Sequence, residues 1–281
     1  MSHTLGDQSR VREYRYTDAD FRHIRKTLYD HAGISLSDYK KDMAYNRLVR
    51  RIRALNLNGF AEYFAYLEST PDEFGQFINA LTTNLTSFFR ENHHFECLKN
   101  QILPSLDKAG QKRIRIWSAG CSVGEEPYSI AMSCQMAGID LQRIDLKILA
   151  TDIDSTVLAT AKSGEYGLER IQSIPESYQK KFVEYDKLKP NVAIMSPKIR
   201  NMITFKELNL MQNWPMKGPM DVIFCRNVMI YFDKETQMQL LDRMAELLTP
   251  NGILFVGHSE TPFRLTDRFK LVGQTIYRRV Y

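Results

Sequence analysis

The chain of 281 residues is 43% apolar and 25% charged, which excludes a disordered, collagen-like or disulfide-stapled polypeptide and, at roughly 150 residues per domain, allows about two domains. Its net charge of +5 is too small for a protein that coats nucleic acid, and no apolar run approaches the ~20 residues of a membrane span. Four cysteines without CxxC spacing or nearby histidine partners read as reduced thiols of a cytoplasmic protein, with neither a disulfide frame nor a metal site expected.

The opening decapeptide MSHTLGDQSR is polar and lacks the apolar core of a secretion signal. From Thr17 to about Thr83 the apolar spacing is helical. Thr17 begins a T-x-x-D start signal, and Phe21, Ile24 and Leu28 repeat at helical intervals before Gly33. Residues 40–53 then hold the whole charge excess: Lys40, Lys41, Arg47, Arg50, Arg51 and Arg53 stand against Asp42 alone, and the rest of the chain balances. On a helical wheel Leu48, Ile52 and Leu55 share one face, Arg47, Arg50 and Arg51 the opposite one, and Arg53 flanks it. This is either a solvated surface or a docking face for an acidic partner. Two further helices follow, around Phe60, Phe64 and Leu67 and around Phe74, Phe77 and Ile78.

Beyond about residue 111 short β-rich runs alternate with amphipathic helices: 114–117, a helix from Glu125, 146–150, a helix after Asp154, 222–225, a helix over 234–248, and 253–256. This alternation predicts a parallel sheet with helices on both faces. Gln274–Tyr281 is β-like without a preceding crossover helix, which predicts an antiparallel edge. Between about 165 and 210 the alternation lapses, and the runs Val192–Met195 and Met202–Phe205 predict a small inserted β element.

In open α/β sheets ligands bind outside the carboxyl ends of the strands. The first such end reads W-S-A-G-C-S-V-G, residues 117–124, followed by Glu125 and Glu126. Gly120 and Gly124 permit a tight turn. The two glutamates place negative charge where a nucleotide would put its phosphates at a helix N-terminus, so a cationic or amine-bearing ligand fits better. At the second strand end, Asp152 is placed to accept from the two hydroxyls of a ribose, with Asp154 as the helix cap. A ribose for Asp152, a sulfonium and ammonium for Glu126, and a carboxylate for Arg90 together describe S-adenosylmethionine. A nicotinamide-dependent oxidoreductase is the rival, and a non-catalytic signalling protein of the same fold a third reading.

The strings TNLTSFFRENHHF (83–95), IWSAGCSVGEEPYSIAM (116–132), ATDID (150–154), FCRNVMIYFD (224–233) and GHSE (257–260) closely resemble the CheR family of chemotaxis-receptor methyltransferases, in order and over nearly the whole chain. The resemblance implies a Rossmann-like S-adenosylmethionine-dependent methyltransferase sheet with a helical N-terminal domain over 14–85, a catalytic domain over 86–281, and an inserted β-subdomain over about 178–208. It implies methylation of glutamate side chains in the cytoplasmic helical region of methyl-accepting chemotaxis receptors, yielding S-adenosylhomocysteine. The implied cofactor contacts are Asn84, Thr86, Arg90, Gly120, Glu126, Asp152, Asn209, Leu210, Asn227 and Val228. Arg90 and Tyr231 are the implied catalytic residues. The acidic receptor helix is the implied partner of Arg47, Arg50, Arg51 and Arg53. In some members the β-subdomain binds a receptor C-terminal peptide, although here KLKPN (187–191) stands where a glycine-bearing turn would be expected. A monomer is expected.

Overall fold

A computed structural model of the chain describes residues 12–185 and 188–280, so the N-terminal decapeptide and Lys187 of KLKPN lie outside the described residues. Two compact units emerge, one of residues 12–31 and 35–81, the other of residues 32–34 and 82–280.

The first unit is helical. Helix α1 (Asp18–Ala32) starts at the capping signal read above: the Thr17 amide and hydroxyl both donate to Asp20 Oδ2 at 2.7 Å, and the Asp20 amide donates back to Thr17 Oγ1 at 3.2 Å. Helix α2 (Lys41–Ala54), helix α3 (Phe60–Ser69) and helix α4 (Pro71–Leu81) follow. Ile24, Leu28, Leu48, Ile52, Tyr63 and Phe77 are sealed from solvent at the centre of this unit.

The second unit opens with an irregular segment and the short helices α5 (His93–Cys97) and α6 (Leu103–Lys108), joined through a π-helical turn over Leu98–Ile102. Its central sheet contains β1 (Arg113–Ala119), β2 (Asp145–Asp152), β6 (Ile203–Glu207), β7 (Met220–Cys225), β8 (Leu248–Val256), β9 (Phe269–Gly273) and β10 (Ile276–Arg279), in the order β6-β2-β1-β7-β8-β10-β9. The five strands from β6 to β8 are parallel, while β10 runs antiparallel to both β8 and β9. Helices α7 (Glu125–Met136), α8 (Ser155–Ser163) and α12 (Lys234–Leu247) provide the crossovers expected from the alternating pattern.

Two local expectations change. The last strand is antiparallel as expected but not an edge: a reversal after Gly273 places β9 outside it. The Met202–Phe205 run joins the central sheet as β6, parallel to β2, instead of the insert. An alternating run specifies a half-covered strand but not the sheet it joins. The insert's sheet consists of β3 (Glu165–Gly167), β5 (Val192–Met195) and β4 (Val183–Tyr185), in that order and antiparallel. With it go the short helices α9 (Leu168–Ile171), α10 (Glu176–Phe182) and α11 (Pro197–Arg200). Tyr166, Phe182 and Met195 of this insert belong to the same buried cluster as Ile116 and Phe224 of the central sheet.

Candidate functional site

The strand order reverses between β1 and β7, since the chain moves from β1 to β2 and β6 on one side and returns to β7 on the other. A crevice at such a switch point is where α/β sheets bind ligands. The two strand ends touch there. Gly120 has φ +84°, and a Cβ on it would stand 2.4 Å from Val228 Cγ2, so only glycine lets the β1 loop pass beneath the β7 loop.

The loop after β1 is tied to its neighbours through Ser122. Its amide donates to Asp152 Oδ2 at 2.7 Å, and its hydroxyl donates to the Asn84 carbonyl at 3.1 Å. Asp154 caps α8 by accepting from the amides of Thr156 and Val157, and it also accepts from Asn84 Nδ2 at 2.8 Å. The cap role frees Asp152 from helix duty, but Asp152 is not idle, because Oδ1 accepts from the Asp154 amide at 3.0 Å. Each of its carboxylate oxygens keeps a further lone pair for a hydroxyl donor. The Leu208 amide donates to the Asp152 carbonyl at 2.9 Å, so the chain leads into Asn209 and Leu210 from the end of β2, and the Met211 amide donates to Asn209 Oδ1 at 2.9 Å. Arg90 donates to the Leu85 carbonyl at 3.0 Å, and the Tyr231 hydroxyl donates to the Thr83 carbonyl at 3.2 Å. Thr86 lies half-buried in the same segment.

Glu126 sits on the first turn of α7, 9% exposed. Oε1 accepts from the Ser118 hydroxyl at 2.7 Å, and Oε2 pairs with Arg226 Nη1 at 2.9 Å. Arg226 is buried, also lies 3.3 Å from Glu91 Oε2, and donates to the Arg90 carbonyl. One guanidinium therefore faces two buried carboxylates. Burial raises the Glu126 carboxyl above its usual range, and the neighbouring Glu91 adds to this, while Arg226 and Ser118 oppose it. Burial likewise lifts Asp152 to about 6, against the amides of Asp154, Ser122 and Ile153 that stabilise its anion. His94 is held neutral by burial, aided by the nearby Arg226 charge, its pKa down to about 2. No cluster of histidine, cysteine and carboxylate with metal-binding geometry occurs among the described residues.

Two charged residues of this site escaped sequence reasoning although their motifs were visible. Arg226 belongs to the FCRN string and Glu260 to GHSE. Glu260 is 5% exposed and collects the amides of Gly257 at 2.6 Å, Asn227 at 2.8 Å and Ile230 at 3.2 Å. It holds Asn227 in its left-handed conformation, φ +59°, and so shapes the loop that carries Val228.

The basic face of α2 is smaller than its sequence implies. Arg51 makes a two-pronged pair with Glu73, at 3.0 and 2.7 Å, and Tyr63 donates to the same carboxylate at 3.0 Å. Arg53 bonds Glu13, and Arg47 donates to the Ala80 carbonyl at 3.3 Å. Arg50 is exposed and enters no ion pair among the described residues.

The donor set fits S-adenosylmethionine. Buried carboxylates face the strand ends, and Glu125 and Glu126 take the helix N-terminus that a pyrophosphate would require. Comparison with known proteins agrees. Residues 84–278 match the family described as CheR methyltransferase, SAM binding domain, and residues 19–82 match CheR methyltransferase, all-alpha domain. The chain is 46% identical over 270 residues to chemotaxis protein methyltransferase 2 of Pseudomonas aeruginosa, covering 94% of both chains. It is 44% identical to the chemotaxis protein methyltransferase of Salmonella typhimurium, covering 93% of this chain and 90% of the relative. The Escherichia coli chemotaxis protein methyltransferase is 45% identical, with 93% and 91% covered.

Proposed function

The chain belongs to the CheR methyltransferase family, S-adenosylmethionine-dependent methyltransferases of chemotaxis, and from that premise we propose that it esterifies glutamate side chains on the cytoplasmic helices of methyl-accepting chemotaxis receptors. The observation that carries this reading is the pair of buried carboxylates, Asp152 and Glu126, at a strand switch point free of phosphate-binding logic. The nicotinamide alternative is disfavoured by Glu125 and Glu126, which occupy the α7 N-terminus where its pyrophosphate would sit. No helix among the described residues is long and apolar enough to cross a membrane.

When bound, S-adenosylmethionine supplies a methyl group on a positively charged sulfur. Asp152 accepts from the ribose hydroxyls, Glu126 from the ammonium, and Asn209 with Leu210 flanks the adenine. Asn84, Thr86, Asn227 and Val228 complete the wall. A substrate glutamate, with an ordinary pKa near ~4.3, is already ionised at neutral pH, so no residue need remove a proton. The site's task is to hold that carboxylate oxygen in line with the bond to sulfur, roughly 3 to 3.5 Å from the methyl carbon, with water excluded. Two opposite charges are lost in the reaction. A cation gripping the attacking carboxylate would therefore favour the ground state, which assigns Arg90 to the cofactor's own carboxylate and leaves Tyr231 at the transfer path.

Arg90→Ala should accordingly raise KM for S-adenosylmethionine by about tenfold, the cost of one charge-assisted bond, with kcat within a few-fold. Initial rates at varied cofactor concentration check this, and a large fall in kcat at unchanged cofactor affinity would reverse the assignment. For docking, Arg50 is the exposed arginine of α2 that enters no ion pair among the described residues, and so supports an acidic partner best. Arg50→Glu should slow methylation of receptor fragments and flatten its salt dependence, whereas Arg51→Glu should destabilise the helical unit by facing Glu73. Stopped-time assays at several ionic strengths, beside thermal melts, separate the two. Substrate identity is tested with receptor cytoplasmic fragments, with and without their C-terminal tails and with acceptor glutamates changed to glutamine. Label must enter the glutamate forms only, and tail dependence would extend the partner to the tail peptide.

A further inference from the structure

The insert reaches the β1 loop and the segment around Phe88 through one tyrosine and one arginine. Tyr166, on β3, is 3% exposed, and its hydroxyl donates to the Val123 carbonyl at 2.7 Å. The next residue, Gly124, has φ +95°, and a Cβ there would meet the Tyr166 oxygen at 2.9 Å and Ala161 Cβ at 2.8 Å. The same ring packs edge-on against Phe88, with centroids 5.0 Å apart, and Phe88 lies two residues from Arg90 in the segment that also carries Asn84 and Thr86. Arg170, on α9, pairs through Nη1 with Glu125 Oε1 at 2.8 Å. Glu125 is 1% exposed, and its second carboxylate oxygen is buried with no hydrogen-bond partner among the described residues. Burial raises this carboxyl above its usual range and Arg170 opposes the shift, so the pair favours the charged form of Glu125.

We propose that the Tyr166 hydroxyl and the Arg170 guanidinium are positioning residues for S-adenosylmethionine: they fix the Ser122–Glu126 turn from the insert side, so that the insert sets cofactor affinity. The proposal rests on the reading that the cofactor binds at the ends of β1 and β2. Neither residue touches the ligand. Each holds a backbone or side-chain group adjacent to ones that do, Val123 beside Ser122 and Glu125 beside Glu126. A turn ordered before binding does not have to be ordered at the expense of binding energy. The insert's continuity with the central core makes it a rigid support for this purpose.

Calorimetric titration of the full chain with S-adenosylhomocysteine tests the proposal, because loss of folded protein lowers the fitted stoichiometry whereas a loosened turn raises Kd. Tyr166→Phe, which keeps the ring against Phe88, should weaken binding about five- to tenfold at unchanged stoichiometry, the value of one buried hydrogen bond. Arg170→Met should do the same, and Arg170→Lys should recover most of the loss. KM for S-adenosylmethionine should rise in parallel while kcat stays within about twofold. Tyr185→Ser, on the exposed edge strand β4, should leave Kd unchanged. If Tyr166→Phe does not fold, the Arg170 pair, half-exposed on a short helix, carries the test alone. Wild-type affinity in both Tyr166→Phe and Arg170→Met, or an equal loss in Tyr185→Ser, overturns the proposal. Absence of binding by the unaltered protein would instead refute the cofactor site itself.

Discussion

Arg226→Met is expected to be the most damaging single substitution in the catalytic unit, lowering unfolding free energy by about 3 to 5 kcal/mol. The side chain is 2% exposed and faces Glu126 at 2.9 Å and Glu91 at 3.3 Å. Removing it leaves two buried carboxylates facing each other, of which Glu126 is already pushed up by burial. It also releases the Arg90 carbonyl, and with it the segment that carries Asn84 and Thr86. Urea unfolding of Arg226→Met, Glu126→Gln and the double variant measures the coupling. The double variant should recover part of the stability lost by Arg226→Met, because one of the two orphaned charges is gone. Additive losses would show that the guanidinium acts through packing on the Phe95 ring, 5.4 Å from its centroid, instead of through charge.

The second large effect concerns Asp152. Asp152→Ala should weaken S-adenosylhomocysteine binding by on the order of a hundredfold, about 3 kcal/mol, since on the proposed binding mode it removes charge-assisted acceptors for two hydroxyls, and it frees the Ser122 amide. The pH dependence has a definite sign. Burial raises this carboxyl to about 6, and in the proposed binding mode its anion is the form that would accept from both ribose hydroxyls. Affinity should therefore hold above about pH 7 and fall as pH drops through 6, approaching tenfold per unit below it. Asp152→Asn should lose most of this dependence and leave only what Glu126 contributes. Titrations between pH 5 and 8 in both proteins decide it: a flat profile in the unaltered protein would place Asp152 outside the binding equilibrium.

Much of this arrangement is legible in the chain itself, and the exceptions have physical causes. The strand–helix alternation announced β1, α7, β2 and α8 because parallel strands buried on both faces read as short apolar runs. Asp154 declared itself as a cap by its place one residue before α8. Arg226 and Glu260 were hidden for the opposite reason. Each works through partners far away in the chain, Arg226 with Glu126 and Glu260 with amides of the β7 loop, and nothing in a charged residue's identity says whether it will be buried. Arg51 illustrates the same limit in the helical unit: its helical position marked it as surface, but Glu73 of α4 claims it. The placement of Met202–Phe205 failed on topology, because the chain returns to the edge of β2 only after the insert has been built.

The central claim, that a glutamate carboxylate is the acceptor, is tested most directly by the chemistry of the product. Receptor cytoplasmic fragment is incubated with the protein and S-adenosylmethionine labelled in its methyl group, then isolated and treated with mild alkali. A glutamyl methyl ester must release its label as volatile methanol, and fragments with glutamine at the acceptor positions must take up none. Label that enters the fragment and survives alkali would place the methyl group on nitrogen or on an ether oxygen and contradict the account.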